Sequence, residues 1–280
     1  MSTDPKRRLR QSRYGSPRIE LVARDIEILT LLDRYGYLRS SFIEAFVGGN
    51  STALRWRLRD LYDAGYVNRP KQQWQLPDAR YVPTVYELDA KGRDTLIDAG
   101  RAHNDRLARA RTNFLHALMI SEVMASIEVA VRADPRLELI PQETIVDRMR
   151  RTAEASPNPL TFSLPKGQYV VPDALFGLRG SRGVVLCALE ADRGNEPLRR
   201  AGKGSSYADK IARYNVLVEG GYYRDTLQTK APLVVLHVAS DQKRVRKLME
   251  LADRRPVSSL QIAARAEHIR SARRAAPRAY

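Results

Sequence analysis

Two apolar runs in the second half of the chain carry carboxylates near matching ends. Val170-Val171-Pro172-Asp173-Ala174-Leu175-Phe176 brings Asp173, and Val184-Val185-Leu186-Cys187-Ala188-Leu189-Glu190-Ala191-Asp192 brings Glu190 and Asp192, with a Gly/Arg turn from Gly180 to Gly183 between them. Both runs read as strands, and a hairpin of this kind sets Asp173 beside Glu190 at one end of a sheet. Carboxylates so paired suit a divalent cation held against a phosphate oxygen, as metal-dependent phosphodiester chemistry requires. That chemistry also needs a cation for the developing charge. A lysine two residues after the glutamate would supply it, but Asp192 stands there. Lys210, one helix later, is a lysine that can reach back, whereas Arg193 carries charge but cannot act as a base near neutral pH.

The elements that must position these groups follow from periodicity. Residues 105–132 read as a long helix with His116, Ile120, Val123, Ile127 and Val131 on one face. A strand is expected over 137–145, which would carry Glu143 on the strand before Asp173, and residues 150–168 read as a loop. Strands are expected over 169–178 and 184–191, a basic loop over 193–206, and a helix from Tyr207 to about Glu219 burying Tyr207, Ile211, Tyr214 and Val218. Leu233 to Val238 is a strand, apolar apart from His237, and Asp241 to Asp253 is a basic amphipathic helix. A last strand apolar but for one histidine, after a helical crossover, implies a mixed sheet covered by helices.

The first third reads differently. Residues 24–35 form a helix by period, with Ile28, Leu31, Leu32 and Tyr35 on one face, and Gly36 stops it. Ser40-Ser41 caps a short second helix, and Asn50-Ser51-Thr52 caps a third that runs to about Ala64 with Leu54, Leu58 and Leu61 inward. A strand at 66–68, a polar tip through Lys71-Gln72-Gln73 and a return strand at 81–88 follow. Helix, helix, longer helix and hairpin is the order of a winged helix-turn-helix. The runs Leu-Arg-Asp-Leu-Tyr-Asp-Ala-Gly-Tyr-Val (58–67) and Tyr-Glu-Leu-Asp-Ala-Lys-Gly (86–92) resemble the recognition helix and the wing exit of such domains. In that fold the third helix enters the major groove of double-stranded DNA. Ser51, Thr52, Arg55 and Arg59 are then the expected groove contacts, and Arg69, Lys71 and Arg80 the wing contacts. The domain as a whole is not basic: residues 19–100 hold 11 basic and 12 acidic side chains. Trp56 and Trp74 are expected to be packing residues.

Charge is concentrated at the ends. Of a net +16, residues 1–18 carry six basic side chains and one acid, and residues 254–280 carry seven arginines and one acid. Basic arms on a near-neutral body suit phosphate contacts that gain affinity by counterion release. Neither arm offers the apolar face of an interfacial membrane helix, and no unbroken apolar run reaches the roughly 20 residues of a bilayer span. One cysteine, Cys187, within a strand-like run excludes an internal disulfide and suits a reducing cytoplasm. Four histidines and one cysteine leave little for a structural zinc site. The organisation expected is a basic tail (1–18), a winged helix-turn-helix (19–100), a second α/β domain (101–255) and a basic C-terminal tail (256–280), an α+β chain overall.

The second domain, with Pro172-Asp173 in one strand and Glu190-x-Asp192 ending the next, resembles the PD-(D/E)xK nuclease-like fold. The chain as a whole resembles the replication-relaxation family of plasmid and mobile-element proteins, which join a winged helix to such a domain. The residues carrying the resemblance are Asn113-Phe114-Leu115-His116-Ala117-Leu118, Val171-Pro172-Asp173-Ala174-Leu175, Leu189-Glu190-Ala191-Asp192-Arg193-Gly194 and Lys210-Ile211-Ala212-Arg213-Tyr214. It implies Asp173 and Glu190 as ligands for Mg2+ or Mn2+, with Asp192 a third and Glu143 a fourth candidate. Two readings follow. In one, the protein binds DNA and its nuclease-like domain is non-catalytic, serving binding, homodimerisation or metal-dependent ordering. In the other, it is a Mg2+-dependent endonuclease or nickase using Asp173, Glu190 and a relocated Lys210.

Overall fold

Asp25 is an acid on the first turn of a helix, yet it is fully buried. Its carboxylate accepts from the Val22 backbone N–H at 2.8 Å and meets Arg57 in two hydrogen bonds, of 2.8 and 2.5 Å. That charge-assisted pair ties the start of α1 (Ala23–Tyr35) to the middle of α3 (Ser51–Asp63). The computed structural model describes residues 12–15, 18–101, 113–150, 158–199, 206–253 and 261–265. It divides into two compact units, Met1–Ala125 and Ser126–Tyr280.

In the first unit α1 ends where Gly36, at φ 74°, donates its N–H back to Leu32. A two-residue strand β1 (Leu38–Arg39), not expected from the sequence, leads into α2 (Ser40–Val47), so Arg39 holds the cap position assigned to the serines. Asn50 caps α3 by accepting from the Thr52 and Ala53 N–H groups at 2.9 Å each. Leu54, Leu58 and Leu61 are buried as the spacing requires, each stabilising the core by about 2 kcal/mol. Strands β2 (Val67–Asn68) and β3 (Val85–Leu88) pair antiparallel, β1 lies on the other side of β3, and α4 (Ala90–Asp98) follows. The segment expected as a polar tip instead contains a 3-10 turn (Lys71–Gln75) whose Gln73 is buried, bonding the backbone of Val85 through both amide atoms and Pro70 through its NH2 group. The return strand is accordingly shorter than expected.

Helix α5 (Phe114–Arg132) begins just beyond residues 102–112, so the expected start at 105 lies outside the described residues. Of the expected face, Val123 and Val131 are buried while His116, Ile120 and Ile127 are half-buried, and the buried side also takes in Phe114, Leu118, Ser121 and Glu122. Glu122 pairs with Arg39, and Ser121 donates to the Tyr35 carbonyl at 2.6 Å. The helix is long and apolar enough to cross a membrane by length and composition, but more than half of it is buried inside the protein, as in a core helix.

The second unit is α+β, a mixed sheet flanked by helices, in which the strands Gln261–Arg265, Leu233–Ala239, Gly183–Asp192, Ala174–Gly180 and Glu138–Ile140 lie side by side in that order. Strand β4 (Glu138–Ile140) is short, because the chain turns at Pro141 into α6 (Gln142–Arg150). Ile145, Val146 and Met149 recur at helical spacing and are buried. Glu143 therefore sits exposed on the first turn of a helix and not on a strand. In the stretch read as loop, β5 (Phe162–Ser163) pairs with β6 (Tyr169–Val170), so the strand expected over 169–178 is interrupted after Val170 and resumes at Ala174. β7 (Ala174–Gly180) and β8 (Gly183–Asp192) pair antiparallel around a two-residue turn, with Gly180 opposite Gly183. Gly183, at φ 111°, takes a conformation that only glycine adopts readily. Pro172-Asp173 lies just before β7, since proline has no N–H for the ladder.

Helix α7 (Tyr207–Glu219) starts at a capping box. Ser206 Oγ accepts from the Asp209 N–H at 3.3 Å, and the Asp209 carboxylate accepts from the Ser206 N–H at 3.0 Å. Tyr207, Ile211, Tyr214 and Leu217 are its buried face, with Val218 at the margin. A short helix α8 (Tyr222–Leu227), absent from the sequence reading, precedes β9 (Leu233–Ala239), which runs parallel to β8. α9 (Gln242–Asp253) returns the chain to β10 (Gln261–Arg265), parallel to β9. That last strand lies within the stretch read as a basic tail. Most of residues 1–18 and 254–280, with Arg200 and Lys203, falls outside the described residues.

Candidate functional site

In the first unit, a cavity of about 540 Å3 opens between α3 and the segment leading into β3. Of the seven expected DNA contacts, Ser51, Arg55, Arg59, Arg69 and Arg80 line it, with Ser40, Ser41, Thr84 and Tyr81 adding polar groups. Arg55 is exposed and held along its own helix by the Ser51 carbonyl and the Thr52 hydroxyl, at 3.4 and 3.3 Å. The Arg59 guanidinium lies 4.2 Å from the centroid of the Trp56 ring and contacts Asp60 at 3.3 Å. Trp56 is 55% exposed, contrary to the packing role expected for it. Arg69 stands over the rings of Tyr62 and Tyr86, at 4.1 and 5.2 Å, and donates to the Tyr86 hydroxyl at 3.2 Å. Thr52 and Lys71 are exposed but lie outside the cavity lining.

Charge here is decided by location and not by composition. Asp25 and Asp63 are buried, and Asp63 accepts from the Tyr14 backbone at 3.1 Å. Among the acids only Glu44 and Asp63 join four arginines in the lining, and Glu44 is engaged by Ser51 Oγ at 2.6 Å. A cationic, hydroxyl-rich concavity suits an anionic chain even though residues 19–100 are together nearly neutral. Arg13, from the basic N-terminal stretch, pairs with Asp89 and so is engaged by this unit itself.

In the second unit, the hairpin brings Asp173 and Glu190 together as expected. The Asp173 N–H donates to the Leu189 carbonyl at 3.0 Å, and Asp173 Oδ2 accepts from the Ala191 N–H at 2.8 Å. Glu190 is buried at the register position facing His237. Lys210 does reach back: its Nζ donates to Glu190 Oε2 at 2.9 Å and lies 3.5 Å from Glu196 Oε2. The Tyr214 hydroxyl donates to the other Glu190 oxygen, and the Tyr207 hydroxyl lies 2.8 Å from His237 Nδ1. Asp192 is held apart by Arg244 Nε at 2.5 Å and the Gly194 N–H at 2.7 Å. Arg244 also donates to the Glu196 carbonyl at 2.6 Å.

Burial, and secondarily the Asp173 charge, pushes the Glu190 carboxyl up to about 7, against the opposing pull of Lys210 and Tyr214. Burial is the largest single influence on Lys210 and works to lower it, but the charge and hydrogen bond of Glu190, joined by the Asp173 and Glu196 charges, together hold the ammonium above its ordinary range. The two directions are compatible: Lys210 stays charged near neutrality, and Glu190 is the group that titrates. Burial and the Glu190 charge hold both Tyr207 and Tyr214 above the ordinary tyrosine range, so their hydroxyls remain donors.

As a metal centre the cluster fits poorly. Both Glu190 oxygens face donors from α7, Asp192 is turned to Arg244, and Glu143 is exposed on α6. Among the described residues no group of three His, Cys, Asp or Glu side chains is arranged to hold an ion. The sequence reading missed Tyr214, Glu196 and Arg244 as members of this network. Tyr214 was detectable, since it follows Lys210 by four residues on one helical face, whereas Arg244 gave no local signal.

Comparison with known proteins gives one positive result. A family model described as replication-relaxation matches residues 29–234, most of the chain and parts of both units. No curated protein and no solved structure matches.

Proposed function

From its membership of the replication-relaxation family, we propose that this protein serves replication or mobilisation of a plasmid or mobile element, or its transcriptional control, by gripping double-stranded DNA. On this reading the first unit is a winged helix-turn-helix. Helix α3 enters the major groove, Arg55 and Thr52 meet base edges, and Arg59, Arg69, Lys71 and Arg80 meet phosphates. The observation that carries it is the cavity in which four of the expected arginines converge. The second unit is a nuclease-like domain used without catalysis, in a cytoplasmic protein that can act as a homodimer. A gel-shift series tests the groove. Arg55→Ala with Arg59→Ala should weaken binding to a cognate duplex by an order of magnitude or more. Affinity unchanged by the pair would remove α3 from the interface.

One contact favours a second reading, a Mg2+-dependent endonuclease. Lys210 lies 2.9 Å from Glu190, where a relocated lysine would have to stand. Against it, Tyr214 and Arg244 occupy carboxylate oxygens that would be needed for the metal. Supercoiled plasmid incubated with Mg2+ or Mn2+ separates the two: nicking abolished by Asp173→Ala would establish the enzyme.

A further inference from the structure

One ammonium serves several carboxylates in the second unit. Lys210 Nζ lies 2.9 Å from Glu190 and 3.5 Å from Glu196, and the Asp173 charge acts on it as well. The capping box at Ser206 fixes where α7 begins, so Lys210 and Tyr214, one turn apart, meet the two oxygens of Glu190 from the same helical face. Asp192, the remaining carboxylate of the hairpin, has a guanidinium and a backbone N–H of its own. A divalent ion of the Mg2+ or Mn2+ class needs several oxygen lone pairs directed at one point. Here those lone pairs are directed at protein donors.

We propose that Lys210 is the resident cation of this cluster: its ammonium takes the place of a divalent ion, so the unit folds without one, and vacating the position opens it to Mn2+. Lysine suits the role as a compact point charge on a flexible stem. A single positive charge among Asp173, Glu190 and Glu196 leaves an excess of negative charge. The inference concerns the second unit alone and holds whether or not the first unit binds DNA.

The test uses the full-length protein, dialysed against EDTA, with Mn2+ uptake by equilibrium dialysis and melting by far-UV circular dichroism. The native protein and Lys210→Arg, which keeps a cation, should show no saturable uptake and no Mn2+-dependent change in Tm. Lys210→Ala should bind one Mn2+ per chain, and at about 100-fold excess over its Kd the Tm should rise by about 5–10 °C. Adding Glu190→Gln should abolish that uptake. If Lys210→Ala does not fold after EDTA treatment, Mn2+ should restore folding. Saturable uptake by the native protein that Asp173→Asn removes would overturn the proposal. So would Lys210→Ala that neither binds Mn2+ nor is rescued by it.

Discussion

Glu190→Gln should flatten the pH dependence of the second unit. In the native protein the carboxyl is raised from an ordinary 4.5 to about 7, a difference worth about 3 kcal/mol at 1.36 kcal/mol per unit. Between those values the folded protein holds a proton that the unfolded chain has released, so stability falls as pH rises. The contribution is fully present below about pH 4.5, declines by about 1.4 kcal/mol per pH unit, and is gone above about pH 7. Glutamine mimics the protonated side chain and keeps an acceptor for Lys210, so the variant should match the native protein near pH 5 and exceed it by up to about 3 kcal/mol near pH 8. The assay is urea denaturation at pH 5, 6, 7 and 8. Both tryptophans, Trp56 and Trp74, lie in the first unit, so their fluorescence reports that unit and serves as the internal control. Near-UV circular dichroism adds the buried tyrosines Tyr207, Tyr214 and Tyr223 of the second. A native stability that rises from pH 5 to 8, or an unchanged slope in Glu190→Gln, would refute the assignment of the titrating proton to Glu190.

Two further changes probe the first unit. Arg57→Ala strands the fully buried Asp25 carboxylate without its guanidinium and should cost about 3 kcal/mol, read as a lower urea midpoint in tryptophan fluorescence. Gly92→Ala would place a methyl group 2.2 Å from the Tyr66 carbonyl oxygen and 2.8 Å from Leu88 Cδ1, so α4 must shift; about 3 kcal/mol is expected from the same measurement.

Elements whose apolar residues repeat cleanly were legible from sequence. α1, α3, α7 and β8 fall within a residue or two of their expected bounds, because each buries a single stripe or lies within one core, whereas β7 begins five residues after the expected start at 169. Errors arose where a polar residue works inside the protein. Gln73 reads as a solvated tip residue but satisfies both backbone groups of Val85. The stretch after Ile140 contains Ile145 and Val146 and reads as strand, yet Pro141 ends the ladder and the spacing to Met149 is helical. Residue counts showed no net positive charge over residues 19–100; Asp25 and Asp63 are interior groups, and that cannot be seen from composition. Among the site residues, Asp173 and Glu190 were found because a hairpin is local. Arg244 was not, because only the packing of α9 brings it to Asp192.

The hairpin also sets a timetable. β7 and β8 meet around a two-residue turn and can pair within microseconds, whereas β8 gains its parallel neighbour β9 only after the chain has closed a long loop through α7 and α8. In the hairpin alone, before β9 and α7 are added, Glu190 has none of the neighbours that raise its carboxyl in the native protein except Asp173. Its burial, its tyrosine and its lysine all arrive with α7. If docking of that helix is the folding barrier, pH acts on the folding rate, and if it follows the barrier, pH acts on the unfolding rate; stopped-flow measurements at pH 5 and 8 distinguish the two.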